Sequence, residues 1–183
     1  DASNSRLGTT YTPYIHYYAW KKVENEDDTA KMGIPELMTL INGAYRPDRI
    51  LQLLRDFTYF PDVKLGKEEE IVCRYPQFFA THKLFANILK HLRSNGGDGK
   101  GGTYFGATGC GKTYTMVFLA RQLALRSKEL GSPTIVILVD REDLQKQSVK
   151  LFENSTDFLS NGIVRKIETR DDLKTELSNR ESG

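Results

Sequence analysis

Residues 105–115 read FGATGCGKTYT, and their types and spacing could hold a phosphate group. Gly106 is followed, after four residues, by Gly111, Lys112 and Thr113, which is the pattern G-x-x-x-x-G-K-[ST]. Glycines let backbone N–H groups approach phosphate oxygens, a lysine supplies positive charge, and a threonine hydroxyl can complete the coordination of Mg²⁺. We therefore predict that ATP and Mg²⁺ bind here, with Lys112 and Thr113 as catalytic residues and Thr113 as the Mg²⁺ ligand. The predicted nucleotide-binding residues of this loop are Gly106, Ala107, Thr108, Gly109, Cys110, Gly111, Lys112 and Thr113.

The sequences on either side of this loop predict the elements that would position it. Residues 103–105 are β-prone, and after the loop apolar residues recur with the spacing of an amphipathic helix, at Met116, Leu119, Ala120 and Leu123. A strand before the loop and a helix after it are the context that a phosphate-binding loop needs. An ordinary glycine turn in front of a helix is the alternative.

The sequence after the loop predicts a layered fold. The continuous apolar run TIVILV at residues 134–139 is typical of a strand buried on both faces of a parallel sheet. Asp140 and Asp143 are predicted to cap the next helix, and residues 162–168 and 171–180 predict a further strand and a further helix. The order of these elements predicts an α/β fold with a parallel sheet and helices on both faces, in which phosphate binds at the carboxyl ends of the strands.

The composition of the chain limits the possible classes of protein but does not identify a binding partner. The chain has 183 residues, 39% of them hydrophobic, and a formal net charge of +2, which is too small to indicate a nucleic-acid surface by itself. It contains no apolar run of about 18 residues, so we predict no contact with a membrane. Cys73 and Cys110 lie far apart in sequence, and the three histidines are scattered, so no zinc spacing occurs. We interpret the two cysteines as reduced thiols, which predicts a cytoplasmic location, and a structural disulfide is the alternative.

The chain before the loop predicts two other regions. Residues 1–23 are rich in aromatic residues and precede the acidic run ENEDD, whereas residues 24–70 contain two helical patterns, PELMTLINGAY and PDRILQLLRDF. The third region, residues 71–183, includes a helical pattern from Pro76. The glycine-rich stretch SNGGDGKGG at residues 94–102 ends that pattern and predicts a flexible connector.

Several ordered stretches together resemble the R subunit of type I restriction endonucleases, the subunit that translocates and cleaves DNA. The resemblance rests on NSRLGTTYTPYIHYYAWKK, LMTLINGAYRPDRILQLLRDFTYF, RYPQFFATHKL, GATGCGKTYTMVFLARQL and SPTIVILVDREDLQKQ. It extends over residues 4–152, and the ordered combination is more specific than the loop pattern alone. Within the last stretch, TIVILVDRED followed by LQKQ also resembles the segment after the phosphate loop in helicase-like motors of superfamily two.

The resemblance implies a fold and a division of the chain. Residues 71–183 would form the start of the first RecA-like motor domain, with a parallel sheet between helices. Residues 24–70 would form a mostly helical or irregular linker, and residues 1–23 the C-terminal edge of an upstream nuclease domain.

The resemblance also implies roles for residues outside the loop. Gln77 lies where superfamily-two motors keep a glutamine that reads the adenine edge, and an amide suits that role because it can donate and accept at once. Arg141 and Gln147 follow the strand that faces nucleic acid in these motors, so they are candidates for DNA contacts. An ion pair between Arg141 and its acidic neighbours is the alternative. The implied partners are double-stranded DNA and the modification and specificity subunits of a restriction complex.

The sequence departs from the family at two motifs. It contains neither the PD-(D/E)xK core of the nuclease nor an acidic DEAH-like motif after the run at residues 134–139. We therefore expect an ATP-hydrolysing type I site-specific deoxyribonuclease as the full subunit, and an inactive chain by itself. The alternatives are another superfamily-two helicase or remodeller, a small-molecule kinase, or a scaffold that binds nucleotide without hydrolysing it.

Overall fold

The computed structural model describes residues 4–24, 34–61, 69–159 and 164–179. Seven α-helices lie in these ranges, besides two short 3-10 helices: α1 (Ile34–Gly43), α2 (Pro47–Asp56), α3 (Tyr75–His91), α4 (Lys112–Leu125), α5 (Ser127–Leu130), α6 (Glu142–Glu153) and α7 (Arg170–Ser178). Two short strands, β1 (Thr58–Tyr59) and β2 (Ile71–Val72), pair antiparallel, with Thr58 opposite Val72 and Tyr59 opposite Ile71. None of the described helices is long and apolar enough to cross a membrane.

The predicted helices around the loop begin where their sequences indicate. Pro47 opens α2 and Pro76 lies in the first turn of α3, positions at which a missing N–H costs no helical hydrogen bond. The helix α4 begins at Lys112 directly after the glycine-rich loop, and it packs against α3. These two helices therefore form the framework on which the loop rests.

An aromatic core joins the first half of the chain to these two helices. The ring centroid of Phe57 lies 4.9 Å from that of Phe78 on α3 and 5.3 Å from that of Phe118 on α4. Trp20 is fully buried, and its ring centroid lies 5.7 Å from that of Phe78. The core thus includes residues from all three predicted regions. The division into a nuclease edge, a linker and a motor domain stays a prediction.

The glycine-rich stretch after α3 folds back on the end of that helix. The N–H of Gly97 donates to the Leu92 carbonyl at 2.9 Å, and the N–H of Gly99 donates to the His91 carbonyl at 2.8 Å. Asp98 accepts at 2.6 Å from the Nδ1 atom of His91. The backbone N–H groups of this part of the stretch thus satisfy carbonyls at the end of α3, and the flexibility of the connector stays a prediction.

A parallel sheet is not found within residues 4–24, 34–61, 69–159 and 164–179, where the only sheet is the antiparallel pair β1 and β2. Residues 103–105, 134–139 and 164–168 are irregular rather than strands. Phe105 is 92% exposed and Leu138 is 86% exposed. A buried parallel strand needs a hydrogen-bonded neighbour and covering helices. The described residues give these segments no such neighbour, so the apolar pattern is not realised as a sheet.

The cap of α6 also differs from the prediction. Arg141 occupies the N-cap position, with no side-chain cap hydrogen bond. The carboxylate of Asp143, which was expected to cap the helix, instead accepts two hydrogen bonds from the Arg141 guanidinium at 3.1 and 2.8 Å. The residue at the cap position is an arginine, whose guanidinium cannot accept a hydrogen bond, so the helix begins without a side-chain cap.

Candidate phosphate-binding site

The loop before α4 curls in the way that its glycines permit. Gly109 has φ 78° and Gly111 has φ 80°, a left-handed conformation that residues with a Cβ rarely adopt. The first helical hydrogen bond after the loop runs from the Thr115 N–H to the Gly111 carbonyl at 3.2 Å. The N–H groups of residues 112–114 therefore precede the helical ladder and remain available at the positive end of α4.

Lys112 extends across this loop. Its Nζ atom donates to the carbonyls of Gly106 at 2.9 Å and Ala107 at 3.1 Å. The lysine side chain is exposed, as are residues 107–109. No Asp or Glu occurs between Asp98 and Glu129 in the sequence, so no nearby carboxylate in that stretch opposes an incoming anion. The arrangement places an exposed cation, helical N–H groups outside the ladder and an exposed loop together.

Gln77 lies against the opposite side of the loop. Its side chain is only 5% exposed. Its Nε2 atom donates to the carbonyls of Gly111 at 3.2 Å and Cys110 at 3.4 Å, while its Oε1 atom accepts from the Arg74 N–H at 2.8 Å. The structure therefore brings Gln77 to the loop across 34 residues of sequence. Its predicted contact with adenine stays a prediction.

Tyr104 is a neighbour of the loop that sequence reasoning missed. A Cβ atom on Gly106 would lie 2.9 Å from the Sγ atom of Cys110 and 3.1 Å from the Tyr104 hydroxyl, so the two side chains meet over this glycine. Burial is the main cause that raises the pKa of Tyr104, and the neighbouring Cys110 raises that pKa further. The contact depends on the curl of the loop, for which the sequence offers no signal beyond the glycines themselves.

The two cysteines should differ in their reaction with a maleimide. Cys73 is buried, and burial raises the pKa of its thiol well above the usual value, whereas Cys110 is half-buried in the loop. Since the thiolate is the reactive form, Cys110 should be labelled faster, and ATP with Mg²⁺ should slow its labelling by covering the loop. Mass spectrometry of the two peptides measures both rates. Cys73 serves as the internal control, and unchanged Cys110 labelling at saturating ATP would contradict the prediction.

The candidate DNA-binding residues lie on the surface at the start of α6. Arg141 and Gln147 are both exposed. The Arg141 guanidinium pairs with the carboxylate of Asp143, as the alternative interpretation expected. An exposed pair of this kind contributes at most about 1 kcal/mol, so it does not prevent the arginine from exchanging to another anion.

Comparison with known proteins identifies a family model that matches this chain. A family model described as SWI2/SNF2 ATPase matches residues 76–183, which is more than half of the chain. No solved structure gives a significant match.

Relatives among curated proteins match a larger part of the chain. The type I restriction enzyme HindI endonuclease subunit of Haemophilus influenzae is 29% identical over 184 residues, covering 100% of this chain and 17% of that subunit. Two putative type I restriction enzyme endonuclease subunits of Methanocaldococcus jannaschii also match. The MjaIXP subunit is 25% identical, and the match covers 84% of this chain and 16% of that subunit. The MjaVIIP subunit is 29% identical, and the match covers 87% of this chain and 14% of that subunit.

The predicted resemblance to type I restriction endonuclease subunits is thereby confirmed, although the chain spans only about a sixth of the length of these relatives. Because the family model matches more than half of it, the chain belongs to the SWI2/SNF2 ATPase family.

Proposed function

We propose that the chain is the ATP-binding segment of a DNA-translocating and DNA-cleaving subunit of a type I restriction enzyme. The observation that carries this proposal is the Lys112 ammonium lying across the carbonyls of a glycine-rich loop that opens α4. The relatives, which are type I restriction enzyme endonuclease subunits, support assignment to a restriction enzyme, and the family match supports assignment as an ATPase. The family match alone would also fit another helicase or remodeller, and the whole-length homologues favour the restriction subunit.

The residues of the loop would bind the phosphates of ATP. The Lys112 ammonium would leave the two loop carbonyls for phosphate oxygens, which carry full negative charge and form stronger hydrogen bonds. The N–H groups of residues 112–114 would donate to the same phosphates, as expected at a helix N-terminus. The movement needed is small, because the ammonium already lies over the loop.

Thr113 would hold Mg²⁺ through its hydroxyl, and the bound ion would neutralise charge on the phosphate oxygens. The site fits this assignment because Thr113 lies in the first turn of α4 and is half-buried beside the open loop. The described residues contain no cluster of three or more His, Cys, Asp or Glu side chains that could hold a metal ion. The ion would therefore enter together with the nucleotide.

The proposed partners follow from the restriction enzyme as a whole. They are double-stranded DNA, with Arg141 and Gln147 as contacts, and modification and specificity subunits, with the complex acting in the cytoplasm. The exposed positions of the two side chains on α6 support the DNA contact.

ATP turnover tests this proposal. We expect DNA-stimulated phosphate release by the full-length subunit, and no appreciable phosphate release or DNA cleavage by the 183-residue chain, whose sequence lacks the DEAH-like and PD-(D/E)xK motifs. The full-length subunit with Lys112→Ala is the control for contaminating ATPases. ATP consumption that requires a phosphate-accepting substrate and no DNA would favour a kinase, and turnover by residues 1–183 alone would contradict the second expectation.

A further inference from the structure

We propose that Gln77 is a positioning residue that sets the orientation of the phosphate-binding amides, in addition to any contact with the base. The inference rests on the proposed function of the loop and deepens it. It concerns the direction in which Gly111 and Lys112 present their backbone N–H groups.

The amide of Gln77 is fixed at both ends. Its oxygen accepts from the Arg74 N–H, and its nitrogen donates to the carbonyls of Cys110 and Gly111. The Arg74 N–H can only donate, and the two carbonyls can only accept. If the amide were reversed, its NH₂ group would face the Arg74 N–H and its oxygen would face the two carbonyls, and none of these hydrogen bonds could form. Among polar side chains of this length, a neutral amide alone matches both sets of partners.

The hydrogen bonds to these two carbonyls also determine the direction of the N–H groups that follow them. In a trans peptide the C=O of one residue and the N–H of the next point in opposite directions. The Cys110 carbonyl shares its peptide plane with the Gly111 N–H, and the Gly111 carbonyl shares its plane with the Lys112 N–H. Because both carbonyls face Gln77, both N–H groups point to the other side of the loop, where they can donate to phosphate.

The loop needs this support because of its conformation and close packing. Gly111 has φ 80°, and a Cβ atom at this position would lie 2.3 Å from the Nε2 atom of Gln77. The side chain thus occupies the space that the absent Cβ leaves. Burial of Gln77 keeps water from replacing these hydrogen bonds, so removing the donor costs the Cys110 and Gly111 carbonyls this bond, and Gly111 keeps only the one from the Thr115 N–H.

The test compares ATP with a ligand that has phosphates but no base. We would titrate inorganic tripolyphosphate and ATP, each with Mg²⁺, into the 183-residue chain by calorimetry, using the wild type and Gln77→Glu. The variant keeps the acceptor for Arg74 but turns a carboxylate oxygen toward the two loop carbonyls. We expect it to bind both ligands about tenfold more weakly.

The control is Gln122→Glu, the same change at another buried glutamine. Gln122 on α4 is 2% exposed and accepts from Arg126 Nη1 through its Oε1 atom, so its replacement retains that acceptor. We expect its affinity for both ligands to equal that of the wild type. A matching loss in Gln122→Glu would overturn the inference, because the effect would then come from a buried charge anywhere in this helix pair.

A pH series adds a readout that loss of packing would not produce. The introduced carboxyl faces two carbonyls, which favours its protonated form, and once protonated it can donate a hydrogen bond to one of them. Relative to the wild type at each pH, the affinity of Gln77→Glu for tripolyphosphate should therefore recover as the pH falls. An unchanged ratio across the series would count against the inference.

The outcomes separate this inference from the proposed function. If Gln77→Glu loses affinity for ATP but keeps that for tripolyphosphate, Gln77 reads the base and does not position the loop. If the wild type binds neither ligand, the proposed function fails, and the inference fails with it. Should Gln77→Glu not fold, Gln77→Met, which has similar volume without polar atoms, provides the same comparison between the two ligands.

Discussion

Replacement of Lys112 by alanine should weaken ATP binding by about 10- to 100-fold, since hydrogen bonds to charged groups contribute about 1.5–3 kcal/mol. The Nζ atom lies within hydrogen-bond distance of two loop carbonyls and is exposed, so it can exchange to phosphate oxygens without unfolding any element. Calorimetric titration of the 183-residue chain with ATP and Mg²⁺ measures the change.

Lys128→Ala is the matched control for this prediction. Lys128 is an exposed lysine on α5 and lies outside the loop, so its removal subtracts the same charge without touching the site. We expect its affinity for ATP to be close to that of the wild type. Equal affinities for the wild type and Lys112→Ala would show that the ammonium does not bind phosphate.

Replacement of Phe57 by alanine should lower the free energy of unfolding by about 3–5 kcal/mol, the usual cost of removing a buried aromatic ring. The Phe57 side chain is fully buried and its ring lies against Phe78, His82 and Phe118. Its loss would leave a cavity between α2, α3 and α4. Urea denaturation followed by circular dichroism measures the change.

Leu54→Ala, on the helix α2 that Phe57 directly follows, is the control for Phe57→Ala. Leu54 is 61% exposed, and its truncation should change the free energy of unfolding by less than about 0.5 kcal/mol. If both variants unfold at the same urea concentration, the first half of the chain does not share a cooperative core with α3 and α4.

The sequence predicts the elements that local chemistry determines. The first turns of α2 and α3 follow from Pro47 and Pro76, whose fixed φ suits a helix start. The curl of the loop and the start of α4 at Lys112 follow from the glycines before it. In each case the deciding interactions lie within a few residues of one another, so a sequence pattern contains most of the information.

Contacts between distant residues are the part that sequence patterns do not determine. The apolar run at residues 134–139 indicates a buried strand, but only a neighbouring strand can satisfy its backbone, and the described residues supply none. The adenine contact of Gln77 that the resemblance implies stays a prediction, and the sequence contains no sign of the hydrogen bonds that its amide makes to the Cys110 and Gly111 carbonyls. The meeting of Tyr104 with Cys110 likewise depends on the three-dimensional path of the loop.

The turn after α3 has a consequence for which sequence changes this protein could accept during evolution. A Cβ atom on Gly97 would lie 2.3 Å from the backbone carbonyl carbon of His91, and that backbone cannot move without breaking the end of α3. Gly101, by contrast, has no atom within 4 Å of its would-be Cβ and has an ordinary φ. Replacement of glycine by serine or alanine should therefore be tolerated at Gly101 and selected against at Gly97.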